Sequence, residues 1–147
     1  MDKLKPLIIE NMQMASLIRG SDEDFRTIFG VNNADEAWVV VKEYCKCLVY
    51  TANTEGVFVR TTSFSGKFEV QKIDPVSTIG AGDNFNAGMI TSIYLNNIRR
   101  DKLETLNSGE WQVLIEPAVA FATHVCMSYE NYISREFAEK NLKLSKI

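Results

Sequence analysis

Cysteine is scarce in this chain, histidine scarcer, and neither basic charge nor apolar residues run together for long. Cys45, Cys47 and Cys126 are the only cysteines among 147 residues. Their number is odd and none has the paired CxxC spacing of a zinc site, so reduced thiols are expected, with the Cys45-Lys46-Cys47 pair buried in its apolar stretch. His124 is the single histidine. Set among Phe121, Val125 and Met127, it argues against a histidine-rich metal site or a Cys–His nucleophile pair. The net charge is −3, and the basic residues are scattered apart from Arg99-Arg100, which leaves no electrostatic footprint for nucleic acid. No apolar run approaches the roughly 18 residues of a membrane span. The opening "MDKLKPLIIENMQ" lacks the apolar stretch and cleavage site of a secretory signal. A cytoplasmic protein with neither a membrane nor a nucleic-acid partner is expected.

What is present is an ordinary globular balance, 46% apolar and 24% charged. A chain of this length fits one domain that buries roughly 70% of its unfolded surface. The periodicity predicts a helix over 4–12, a short strand over 15–19 ending at Gly20, and a helix from Ser21, with Asp24 three residues on as in a capping box, closed by Gly30. A further helix is expected over 35–45 from the stripe Ala37, Val40, Val41 and Tyr44. Residues 47–51, 56–62 and 67–73 are rich in β-formers and read as strands, the last two joined as a hairpin across "SFSG". Two mostly apolar helices follow, over 85–95 and 110–128, separated by a polar segment, and the lysine-rich tail suggests one more. No internal repeat, low-complexity run or interior linker interrupts the series. This order indicates α/β layering.

Three of the eight glycines fall within twelve residues, 77–88, "STIGAGDNFNAG". The run contains no GxxxxGK[ST], and after Gly80 and Gly82 the third glycine of a dinucleotide fingerprint is missing. Gly80-Ala81-Gly82-Asp83 stands at the first turn of an apolar helix, where free N–H groups and the helix dipole favour an anion. A carboxylate there can take a proton from an alcohol while the amides hold the charge of a transferring group. The same residues also suit a plain capping turn, and spacing alone leaves the two readings even.

The stretch closely resembles the second signature of the PfkB, or ribokinase-like, carbohydrate kinases, D-T-x-G-A-G-D-x-F-x-x-G, matching it at Gly80, Ala81, Gly82, Asp83, Phe85 and Gly88. "SLIRGSDEDFRTIFG" is similar to the family segment that carries N-x-x-E, and "VYTANTEGVFVR" to its T-L-G-x-x-G turn. The resemblance implies a ribokinase-like three-layer α/β/α fold and ATP-dependent, Mg²⁺-assisted phosphorylation of a sugar, fructokinase- or ribokinase-like. It implies Asp83 as catalytic base and the amides of Gly80, Ala81 and Gly82 as anion hole. Thr51, Asn53 and Gly56 would border the nucleotide, with Ala122 and Cys126 near the adenine. Asp24, in place of the family's glutamate, would act on Mg²⁺ through water.

There are departures. Ser77 replaces the acidic residue that opens the signature, where some members build a monovalent-cation site, and Asn53 replaces the first glycine of T-L-G-x-x-G. The family's N-terminal half, with its Gly-Gly signature, sugar-contacting residues and lid, has no counterpart, so residues 1–147 are expected to be the C-terminal nucleotide-binding and catalytic part of a kinase. A fragment of this kind exposes a sheet edge suited to self-association. The alternative is a non-catalytic nucleotide-binding or pseudokinase module.

Overall fold

The computed structural model describes residues 3–144. In order come α1 (Lys5–Met14), β1 (Ile18–Ser21), α2 (Asp22–Phe29), α3 (Ala34–Val41), β2 (Cys47–Thr51), β3 (Val57–Thr61), β4 (Ser65–Phe68), α4 (Ala81–Leu95), α5 (Ser108–Cys126) and α6 (Arg135–Leu144), with 3₁₀ turns at Asn53–Glu55 and Arg100–Thr105. The chain divides into two compact units. One comprises Met1–Val70 with Arg100–Ser108, the other Gln71–Arg99 with Gly109–Ile147.

The first unit is built on a four-stranded sheet of order β1-β2-β3-β4, with β1 parallel to β2 and the later pairs antiparallel. Cys47, Leu48, Val49 and Tyr50 of β2 are buried on both faces, as expected of a central strand. Leu48 and Tyr50 join a core with Met12 of α1, Phe25 of α2, and Ala37 and Val41 of α3. Phe25 packs on Phe29 and Tyr50 with ring centroids 5.9 and 5.6 Å apart. The helix boundaries follow from local chemistry. Ser21 and Asp24 form the expected capping box, and Gly30 ends α2 in the left-handed conformation at φ 72.

The segment 67–73 is not a strand throughout. Val57 pairs with Phe68 and Arg60 with Ser65. Because β3 begins at Val57, residues beyond Phe68 have no partner in the ladder, and β4 instead begins inside the stretch expected to be the turn. Likewise α3 stops at Val41, where the amide N–H groups of Tyr44 and Cys45 both turn back to the Val41 carbonyl at 2.9 Å and lead the chain into β2. The first strand lies two to three residues later than the apolar pattern indicated, in register with β2 from Ile18↔Leu48 to Ser21↔Thr51.

In the second unit, Phe85, Met89 and Ser92 of α4 and Trp111, Leu114, Ile115, Ala118, Phe121 and Val125 of α5 are buried. Gly88 allows close approach of the helices: a Cβ there would lie 2.6 Å from the Pro117 carbonyl oxygen and 2.8 Å from the Ala118 Cα. Helix α6 meets α5 through Phe137, edge-on to Phe121 at 5.6 Å and stacked on His124 at 4.0 Å. His124 Nε2 accepts the N–H of Ser134 at 3.4 Å.

Candidate active site

Helix α4 begins four residues before the apolar run that marks it in sequence, because Gly80 supplies its N-cap. Gly80 is left-handed, with φ 80 and ψ −1, and the helix has no side-chain cap. The Ala81 N–H reaches the Thr78 carbonyl at 3.2 Å, and the Asn84 N–H reaches the Gly80 carbonyl at 3.0 Å. Between them, the N–H groups of Gly82 and Asp83 meet no acceptor among the described residues. Two such donors at the positive end of a fifteen-residue helix make a surface that favours negative charge. Asp83 is exposed at that surface, and its carboxylate makes no hydrogen bond or ion pair among the described residues. A carboxylate left unpaired can accept a proton from a group brought to it.

The approach to this turn is tied down from the other helix. The carbonyl of Cys126, the last residue of α5, accepts the N–H groups of Val76 at 2.8 Å and Ser77 at 3.3 Å. Ser77 Oγ accepts the Ile79 N–H at 3.2 Å. Ala122 and Cys126 stand one turn apart at the C-terminal end of α5, with the Cys126 thiol buried and its pKa raised by that burial. Thus Ala122 and Cys126 share a unit with Gly80, Ala81, Gly82 and Asp83.

The remaining candidates lie in the first unit. Thr51 ends β2 and is the sheet partner of Ser21, the N-cap of α2. Thr51 Oγ1 accepts from Arg19 Nη2 at 2.9 Å and donates to the Gly20 carbonyl at 3.5 Å. Asn53 has φ 42, so the asparagine keeps the left-handed backbone that a glycine would supply. Gly56 has φ 119, and a Cβ there would lie 2.7 Å from the Phe68 carbonyl oxygen. The Ala52 N–H closes the turn onto the Gly56 carbonyl at 3.0 Å. Asp24 Oδ2 accepts both the N–H and the hydroxyl of Ser21 at 2.8 Å, and the Ser21 Oγ accepts the Asp24 N–H at 3.1 Å. That carboxylate is already engaged in capping, and among the described residues no cluster of three or more His, Cys, Asp or Glu side chains is placed to hold a metal. Thr51 and the Asp24 cap are nevertheless neighbours at the carboxyl ends of two parallel strands, the end of an open α/β sheet at which ligands bind.

Two residues escaped the sequence reading. Asn84 and Asn131 hold the turn at Gly80 from behind, through a side chain at an unspecified position of the signature and a carbonyl 47 residues away.

A mixed sheet flanked by helices makes this an α/β protein, and its likeness to solved kinases makes the fold ribokinase-like. The pfkB family carbohydrate kinase model matches residues 2–126, and the chain belongs to that family. Fructokinase of Escherichia coli is 29% identical over 103 residues, which are 69% of this chain and 34% of the fructokinase. Among solved structures, aminoimidazole riboside kinase from Salmonella enterica, complexed with aminoimidazole riboside and an ATP analog, has a TM-score of 0.74 at 17% identity, covering 94% of this chain and 46% of that one. Fructokinase from Vibrio cholerae O395, with fructose, ADP and calcium ion bound, has a TM-score of 0.75 at 15% identity, covering 94% and 44%. The chain therefore spans less than half the length of the relatives it matches.

Proposed function

We propose that this chain is the C-terminal nucleotide-binding and catalytic part of an ATP-dependent, cytoplasmic sugar kinase. The observation that carries the reading is the start of α4, where amides of Gly82 and Asp83 and the Asp83 carboxylate stand together without a partner among the described residues. Asp83 takes the proton of the acceptor hydroxyl as the sugar oxygen forms its bond to the γ-phosphorus. The bond to the bridging oxygen of ADP breaks, and the Gly80-Ala81-Gly82 turn holds the charge carried by the transferring group through the N–H groups of Gly82 and Asp83, since the Ala81 N–H is taken by the Thr78 carbonyl. Thr51, Asn53 and Gly56 border the nucleotide, and Ala122 and Cys126 lie toward the adenine.

Mg²⁺, when bound, neutralises charge on the phosphates. Of this chain's residues Asp24 would act on it, through water, because Asp24 Oδ2 is committed to Ser21 and no carboxylate cluster is present among the described residues. The sugar is held by residues outside this sequence, so the 147-residue chain alone binds adenine nucleotide but turns over no sugar.

The test is ADP release with ATP, Mg²⁺ and a panel of hexoses, pentoses and nucleosides, measured on this chain and on the complete reading frame that contains it. Sugar-dependent release by the complete protein, lost in Asp83→Asn, is expected. ADP binding with no release for any acceptor would replace phosphoryl transfer by nucleotide binding alone.

A further inference from the structure

One side chain holds the turn before α4 in shape, at a position the signature leaves open. Asn84 is 8% exposed. Its Nδ2 donates to the Gly80 carbonyl at 2.9 Å and to the Asn131 carbonyl at 3.0 Å, so both hydrogens of the side-chain amide are used. The Gly80 carbonyl also receives the backbone N–H of Asn84. In the same first turn, the N–H groups of Gly82 and Asp83 have no acceptor among the described residues.

Packing reinforces the link. A Cβ on Gly80 would lie 2.9 Å from the Asn131 carbonyl oxygen and 3.1 Å from the Asn131 Cβ. The segment between α5 and α6 is therefore a wall behind the turn, and Asn84 is the bolt through it. A serine or threonine at position 84 has one donor hydrogen and cannot serve both carbonyls; an aspartate offers none and sets a negative charge against both oxygens.

We infer that Asn84 is a positioning residue for phosphate binding, fixing Gly80 in its left-handed conformation and coupling the turn to residues 127–134. The inference rests on the reading of that turn as a phosphate site. It predicts a loss selective for the phosphates of a nucleotide, which a general structural role would not produce.

The protein and its Asn84→Ala, Asn84→Ser and Asn84→Asp variants would be titrated with ADP in Mg²⁺ and, separately, with adenosine. Circular dichroism and amide hydrogen exchange over 78–84 and 127–134 would accompany the titrations. The expected result is retained helical signal, ADP binding weakened about tenfold or more in the alanine and aspartate variants and less in serine, and adenosine binding changed less than about twofold. Exchange should quicken in both segments together. Unchanged ADP affinity, or equal losses for ADP and adenosine, would overturn the inference. If the unsubstituted protein binds adenosine but no ADP, the phosphate reading itself has failed, and the role of Asn84 in it falls too. Exchange then still shows whether Asn84 couples the segments, with wild-type rates over 127–134 in Asn84→Ala excluding even that.

Discussion

The hydroxyl of Ser92 donates to the backbone carbonyl of Val113 at 2.7 Å, the carbonyl of α5 that Pro117, four residues on, has no N–H to reach. Ser92 is buried at 2% exposure, and Gly88, one turn earlier in α4, lies against Pro117 itself. A proline inside a helix leaves the carbonyl four residues earlier without its helical donor. Here the neighbouring helix supplies the missing donor at Ser92 and, at Gly88, room for the Pro117 backbone to approach.

Replacing Ser92 by alanine should cost about 1 kcal/mol, because it removes a part-buried hydrogen bond and leaves the Val113 carbonyl without its donor from α4. Adding Pro117→Ala should recover part of that loss, since residue 117 then regains the N–H that α5 lacks. Denaturant melts of the four proteins in this cycle measure the coupling. Strictly additive changes would show that the Ser92 hydroxyl is not serving the proline defect.

Gly88→Ala should destabilise the protein by about 1–3 kcal/mol, as a methyl group is forced against the backbone of α5. Backbone cannot move aside as a flexible side chain does. A melting temperature equal to that of the parent would mean the two helices separate at little cost.

Asp83→Asn in the complete enzyme should lower turnover by about 10²–10⁴-fold while leaving ADP affinity within a few-fold. The side chain is exposed and makes no hydrogen bond or ion pair among the described residues, so its amide should leave the fold unchanged. Steady-state kinetics beside calorimetric ADP titration separate the two effects, and near-parental kcat would remove Asp83 from its role as base.

Alkali should weaken the fold through Cys47. Burial, then the neighbouring Cys45 and Glu104, push its thiol from 9.0 up to about 12, against the pull of Lys46. The folded protein keeps a proton that the unfolded chain releases, so the stabilisation is complete below pH 9 and is lost as pH rises toward 12. Denaturation midpoints should fall across that window and flatten in Cys47→Ala. Equally steep curves would assign the alkaline loss to other groups.

Turnover of the complete enzyme should change less than about twofold between K⁺ and choline. Ser77 supplies a neutral oxygen where the family signature has a carboxylate, and that oxygen already accepts the Ile79 N–H. Strong activation by K⁺ would show that other oxygens complete a cation site.

The features legible in the sequence are those settled within a turn of the chain. Ser21 and Asp24 cap α2, and Gly30 closes it, because each device needs only neighbours three or four residues away. The Gly80–Asp83 turn was legible for the same reason, and through its match to the family signature. The end of β4 was not, since Phe68 is the last residue to face a partner only because β3 starts at Val57. Asn84 was hidden in the same way: its type is visible, but its meaning depends on a carbonyl brought from position 131. Asn53 read as a departure from glycine, yet its φ of 42 retains the conformation for which glycine is used.

The first unit is discontinuous in sequence, since residues 100–108 return to it after the chain has left at Val70. Within the returning segment, the Glu104 carbonyl accepts the hydroxyls of Thr61 and Ser63, and its carboxylate pairs with Lys46 at 3.0 Å. This has a consequence for the ribosome. At about 5–20 residues per second, several seconds of synthesis separate Val70 from Ser108. Until residue 104 has been made and has left the exit tunnel, the turn after β3 lacks its acceptors, so the sheet of the first unit waits for a clasp made later. A nascent chain arrested soon after residue 70 should therefore be far more open to proteases than one arrested well past residue 108.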